Sequence, residues 1–212
     1  MAQFCTPVNL NKPKYIMTPL GSPTTDLDWK DGTYDHAQES PQHYYHNEVL
    51  KVRESRNVEF KTAGGRYIYD ILPQHVDKYG SAFLNGNGGT LYLGVLDDGT
   101  VNGIRLNYRE EDHVTRTVYN TFGNFLPEVS PGMINVRFAP VYEQGRSRPV
   151  PKLKVVEISV KGGPVHELFE TGNHKVFIKR DGSVEEQNPL QIRDLVISRY
   201  KMSLQKRQKP QQ

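Results

Sequence analysis

The stretch "FLNGNGGTLYLGVLDDGTVNGI", Phe83 to Ile104, decides how the chain folds and where chemistry can sit. It places Gly86, Gly88 and Gly89 within four positions and then runs into an apolar strand. A phosphate-cradling loop follows a strand and opens a helix, because a helix N-terminus offers unpaired N–H groups and the positive end of the dipole. Here the order is reversed: the preceding residues have helical periodicity and the following ones are a strand. What faces the loop is a helix C-terminus, which repels anions. No Lys-Ser or Lys-Thr follows the glycines either. The loop is therefore read as a turn, with Asn85 or Gly86 capping the helix in the left-handed conformation and the later glycines reversing the chain. Its product is "GVLDDGT", a buried strand ending in an Asp-Gly turn that presents Asp97 and Asp98.

Upstream of that loop, Ile68, Ile71, Leu72, Val76, Tyr79 and Phe83 recur at three- and four-residue spacing and predict a helix over Tyr69 to Leu84. Pro73 falls in its first turn, where proline is tolerated. Before the helix, "NVEFK" (Asn57 to Lys61) alternates as a half-buried strand does. Downstream, "VNGI" pairs back as a short strand, and Val114, Val118, Phe122 and Phe125 mark a second helix over Arg109 to Phe125. "INVRFAPVYE" and "LKVVEISV" read as strands joined by the polar loop "QGRSRPVP", and "KVFIKRDGS" as a further strand and turn. "NPLQIRDLVISRYKMS" closes the domain as an amphipathic helix. Helices and strands alternate irregularly, which predicts an α+β fold: one domain over residues 48–203, with a mixed β-sheet flanked by helices.

Residues 1–47 read as a polar tail rich in Pro, Gly, Ser, Thr and Asp, whose "HYYHNE" end is taken as a solvated linker, with a docking element as the alternative. Residues 204–212 read as a short basic tail. Such tails account for a hydrophobic content of only 36%, low for a fully packed chain. The balance of 27 basic and 24 acidic residues gives +3, which permits nucleic-acid binding without arguing for it. The lone Cys5 excludes an intrachain disulfide and a cysteine-rich zinc site. No run has transmembrane length, and Met1 to Leu20 lacks the pattern of a signal peptide. A soluble cytoplasmic protein is expected, with the nucleus as the alternative compartment.

The candidate chemistry is acidic. Glu54 and Glu59 flank the start of the first strand, and an acid among Val58 and Phe60 is costly unless it is solvated or meets positive charge. Residues an odd number apart on a strand point to opposite faces, so the two converge only if Glu54 lies in the preceding turn. Two ordinary surface carboxylates are the alternative.

Taken together, "ESRNVEFK", "FLNGNGGTLYLGVLDDGTVNGI" and "VFIKRDGS" resemble the Alba-like domain of the Schlafen family, and most of all the short Schlafen-like proteins. The resemblance covers about Glu48 to Tyr200. It implies a three-carboxylate site that cuts RNA with Mg2+ or Mn2+, carried here by Glu54, Glu59 and Asp97. Asp98 takes the place of Asp97 if the strand ends one residue later. Hard oxygen donors suit those cations. A cation there would polarise a phosphoryl oxygen and activate a bound water. Lys61, on the strand face of Glu59, is either a phosphate contact or a solvated lysine. Arg56, Lys179 and Arg180 are the other expected contacts to RNA.

Two features depart from the larger Schlafens. The chain, with Cys5 alone, lacks the cysteines for their structural zinc, and it has one lobe where they close two around RNA. The resemblance therefore implies a homodimer or a heteromer with another Schlafen-like subunit, acting on structured or small RNA and not on membranes. The alternative is a non-catalytic nucleic-acid-binding or scaffold subunit; an ATP-binding regulator is disfavoured by the loop geometry. His75, His113, His166 and His174 show no metal spacing and are read as structural or exposed.

Overall fold

The computed structural model describes residues 41–180 and 182–208. The tail expected at the N-terminus lies, up to residue 40, outside the described residues, and so do residues 209–212 of the basic one. In chain order the elements are β1 (Tyr44–Tyr45), β2 (Val58–Lys61), α1 (Tyr67–Asp70), α2 (Leu72–Leu84), β3 (Gly89–Leu93), β4 (Ile104–Arg105) and α3 (Tyr108–Phe122). After a 3-10 turn at Pro131–Met133 come β5 (Ile134–Tyr142), β6 (Pro149–Val160), β7 (Phe177–Arg180), β8 (Ser183–Glu186) and α4 (Pro189–Gln208).

The main sheet has the strand order β1-β5-β6-β3-β2, with β4 pairing on β6, and β7 and β8 form a separate hairpin. β1 with β5 and β2 with β3 are parallel, while β3, β4 and β5 run antiparallel to β6. The fold is α+β with a mixed sheet, as the alternation of patterns predicted. Strand residues alternate between two buried layers. Leu91, Leu93, Val156 and Ile158 face the helices, against Leu72, Val76, Phe83, Val114, Val118 and Phe122. Val58, Phe60, Tyr92, Val95, Val141 and Val155 build a second layer together with Tyr44.

The single helix expected from Tyr69 is two helices, separated at Ile71. Pro73 is the reason: it has no N–H to donate to the carbonyl of Tyr69, so the first helix cannot run through it. The cap of α2 also differs from expectation. Asn85 has φ −80°, not a left-handed value. Its side chain does the work instead, donating to the Phe169 carbonyl at 2.7 Å and accepting the Phe169 N–H at 2.8 Å. The left-handed position is Gly88, at φ 83°, where a Cβ would stand 2.8 Å from the Val160 carbonyl. At Gly89 a Cβ would come within 2.3 Å of the Phe83 ring. The glycines let β3 enter the sheet directly beneath the end of α2.

α3 starts on a capping box: Asn107 accepts from the N–H groups of Arg109 and Glu110, and Glu110 accepts the Asn107 N–H at 2.7 Å. It ends at Phe122, before the expected Phe125, which still packs its ring 5.0 Å from that of Phe122. The linker expected through residue 47 gives way to β1, where Tyr44 is buried. The Tyr44 hydroxyl donates to Glu157, itself only 2% exposed. Arg137 holds the same carboxylate through Nε at 3.0 Å and through Nη2, and reaches the Pro41 carbonyl through Nη1 at 2.8 Å. Buried charge and backbone pairing thus anchor this segment. At the other end α4 continues past Ser203 into the expected tail, and Leu190, Val196, Ile197 and Tyr200 are exposed along it. Among the described residues no helix is long and apolar enough to cross a membrane.

Candidate functional site

β2 is an edge strand, so the outward N–H and C=O of Phe60 need partners other than a strand. The bend before β2 supplies one: the Glu54 carboxylate accepts the Phe60 N–H at 3.0 Å. The Lys61 ammonium supplies the other, donating to the Phe60 carbonyl at 2.8 Å. Glu54 therefore lies in the preceding turn and folds back onto the strand that carries Glu59.

Glu59 points to the helix-facing side and is 8% exposed. One of its oxygens accepts from Lys61 at 2.6 Å and the other from Lys179 of β7 at 2.5 Å. The Lys179 side chain is 3% exposed, that of Lys61 22%. Tyr79 of α2 adds a hydroxyl bond to the same carboxylate. Burial opposes ionisation of Glu59, but the bonds from Lys179, Lys61 and Tyr79 outweigh it and hold its pKa below the ordinary value. Tyr79 is pushed up, by burial first, then by its bond to Glu59 and the charges of Glu59 and Glu54. Both carboxylates thus act on one hydroxyl. Three ammonium groups surround the Tyr79 ring, those of Lys61, Lys78 and Lys179, at 5.4, 5.5 and 5.8 Å from its centroid. Behind them the Tyr67 hydroxyl meets Nδ1 of His75 at 2.8 Å. Burial, then Lys61 and Lys78, lower the His75 pKa and so favour its neutral form.

Asp97 is exposed in the turn after β3, beyond the carboxyl ends of the two parallel strands. That turn backs onto the other side of β2, since a Cβ at Gly99 would lie 3.7 Å from the Phe60 ring. Asp98 closes it by accepting the Thr100 N–H at 2.8 Å. Asp97 has no hydrogen bond or ion pair among the described residues, and no interaction joins it to Glu54 or Glu59. The acids are gathered around Phe60 but not around one point. Among the described residues no group of three or more His, Cys, Asp or Glu side chains is placed to hold a metal ion. The donor types suit Mg2+ or Mn2+, but the arrangement does not: lysines occupy both oxygens of Glu59.

Of the expected RNA contacts, Lys61 lies at the site, and Lys179 is there but buried beneath it. Arg180 is exposed and pairs with Glu185 at 3.1 Å across the β7–β8 turn. Arg56 is exposed in the bend beside Glu54. Tyr79 and Lys78 were missed by sequence reasoning. Tyr79 falls on the apolar stripe of α2 and reads as core, and only the packing of α2 over β2 brings its hydroxyl to Glu59.

A sequence profile described as "Schlafen, AlbA_2" matches residues 54–188, more than half of the chain. The chain belongs to the Schlafen AlbA_2 family. Its matched region opens on Glu54 and spans Glu59, Asp97 and Lys179. The family assignment points to a nucleic-acid-related function. Among solved structures, this Schlafen chain is similar to the DIP2311 protein from Corynebacterium diphtheriae, at 18% identity and a TM-score of 0.44. The match covers 66% of this chain and 26% of that one, so the Schlafen chain corresponds to about a quarter of its length.

Proposed function

We propose that the domain is an endoribonuclease lobe acting on structured or small RNA, with Glu54, Glu59 and Asp97 as its acids. The observation that supports this best is the Glu59 carboxylate, kept ionised between Lys61 and Lys179 under the Tyr79 hydroxyl. Two ammonium groups bind this one carboxylate, and Lys78 lies close by on the Tyr79 ring. Ammonium groups outnumber carboxylates around Tyr79, and such an excess attracts a phosphodiester. Lys61 is the more exposed of the two lysines on Glu59 and the one able to share its ammonium with a phosphate oxygen, while Lys179 stays on Glu59. Tyr79, its pKa raised, keeps its proton and serves as a donor. The second oxygen of Glu54 and the carboxylate of Asp97 make no hydrogen bond among the described residues and are the oxygens left to accept a proton.

Mg2+ or Mn2+ is the cofactor this reading calls for by donor type, and because the acids are not gathered into a cage, none of these steps passes through a cation. On the same reading the lobe supplies one wall of an RNA groove, and a second copy or another Schlafen-like subunit supplies the facing wall. A non-catalytic binding subunit is the second reading, favoured by the lysines that fill the Glu59 oxygens. Labelled small structured RNAs incubated with the purified chain, with Mn2+, with Mg2+ and with chelator, separate the two. Cleavage supports the nuclease, and its loss or survival in chelator decides whether a cation is needed; binding without cleavage under every condition supports the binder.

A further inference from the structure

We propose that the exposed Tyr69 ring, backed by the half-buried His113, is a stacking platform for an unpaired nucleobase of RNA. The inference rests on the RNA reading above and adds a surface that it does not use. α1 leaves the carboxyl end of β2 through Thr62 to Arg66, a loop in which Gly64 and Gly65 are open to solvent with nothing within 4 Å of a Cβ built on either. Its four residues divide sharply. Tyr67 and Ile68 are buried, Tyr67 toward Glu59, while Tyr69 is 46% exposed on the opposite side. There Tyr69 meets His113 of α3, ring centroids 4.7 Å apart and planes inclined by 34°. The two rings pack at a tilt, and the exposed Tyr69 ring offers the face on which a base can stack.

Neither ring is held by hydrogen bonding. The Tyr69 hydroxyl and both His113 nitrogens lack a hydrogen-bond partner among the described residues. Packing does not call for an exposed tyrosine here either, since the core is closed by its neighbours. The rim is basic and planar. The Arg66 guanidinium lies 5.8 Å from the Tyr69 centroid, while Arg109 and Arg116 sit on the His113 face of α3, one turn before and after it. Asp70 binds Arg66 and Asp112 binds Arg116, whereas Arg109 makes no ion pair among the described residues. Aromatic faces bordered by arginine suit single-stranded nucleic acid, where stacking is tolerant of sequence and the backbone is neutralised nearby. The platform and Lys61 lie on either side of α1, so one strand can lay its phosphate at Lys61 and an unpaired base on Tyr69. A duplex, whose bases are already stacked, gains nothing from it.

The test uses the full chain with a single-stranded oligoribonucleotide carrying one 2-aminopurine, and with a blunt duplex of the same sequence. Tyr69→Ala and His113→Ala should each weaken single-strand binding roughly five- to a hundredfold and leave duplex binding within about twofold. Tyr69→Phe should keep wild-type affinity, and quenching of 2-aminopurine should be lost only in the alanine variants. Unchanged melting temperatures establish that the surface substitutions leave the fold intact. Equal losses on single strand and duplex, or no loss on either, would overturn the platform while the RNA reading stands. Failure of the wild-type chain to bind either RNA would overturn both.

Discussion

Replacing Lys179 by Met removes one cation from the Glu59 carboxylate without leaving a cavity. The Lys179 side chain is 3% exposed and that of Glu59 10%, so the pair is desolvated on both sides. Breaking a buried pair by deleting one partner costs about 3–5 kcal/mol, because the remaining charge stays buried. Lys61 and Tyr79 still reach Glu59, which sets the expectation at the lower end, about 3 kcal/mol. Lys61→Met, at a 22% exposed side chain, should cost less, about 1 kcal/mol. Urea unfolding at neutral pH measures both, with an unchanged m-value showing that stability alone has shifted. The double variant Glu59→Gln/Lys179→Met should recover most of the loss, since no charge is then buried unpaired. The pH dependence carries an independent sign. In the wild type the folded pKa of Glu59 is lowered. The pair therefore stabilises above the ordinary carboxylate range, and that stability is lost as pH falls through the folded value. Without Lys179 the largest of the bonds that oppose burial is gone, so the folded pKa of Glu59 lies higher than in the wild type. The deficit of the variant should shrink as the pH is lowered. A loss below about 1 kcal/mol for Lys179→Met, or a deficit that grows on acidification, would refute this account of the pair.

On the other sheet face, Arg137→Ala takes the guanidinium from the buried Glu157 and should cost about 3–5 kcal/mol by chemical denaturation. Gly89→Ala drives a Cβ to 2.3 Å from the Phe83 ring and 2.8 Å from the Asn57 carbonyl. It should lower stability by about 1–3 kcal/mol or more in a thermal melt. RNA affinity, measured by filter binding, should fall steeply between low and physiological salt, because the contacts proposed are lysines and arginines on phosphate.

The sequence made much of this legible where local chemistry decides structure. The glycine loop reads as a turn because a helix precedes it and a strand follows, and the structure keeps that order. Glu54 converges on the Glu59 strand through the preceding bend, as the odd spacing required. The break at Ile71 was hidden because the apolar stripe continues across it, although Pro73 withholds the bond a continuous helix would need. Tyr44 was taken for linker because a strand of two residues has no period of its own; its burial comes from β5 and from Glu157, both far along the chain. The clasp on Glu59 was least visible. Lys179 lies 120 residues from its partner, and a lysine buried against an acid looks in sequence like any other lysine on a strand. Asp97 was assigned through the family resemblance, which is blind to the side of β2 on which its turn lies: that turn leans on the Phe60 side and not toward Glu59.

Single-turnover cleavage of a small structured RNA by wild type, Glu54→Gln, Glu59→Gln and Asp97→Asn, each shown to be folded, tests the central claim most directly. Each substitution should lower the rate by at least about a hundredfold, the loss expected when a positioned catalytic group is removed. RNA affinity measured in parallel should change much less. Cleavage by Glu59→Gln at the wild-type rate would contradict the account.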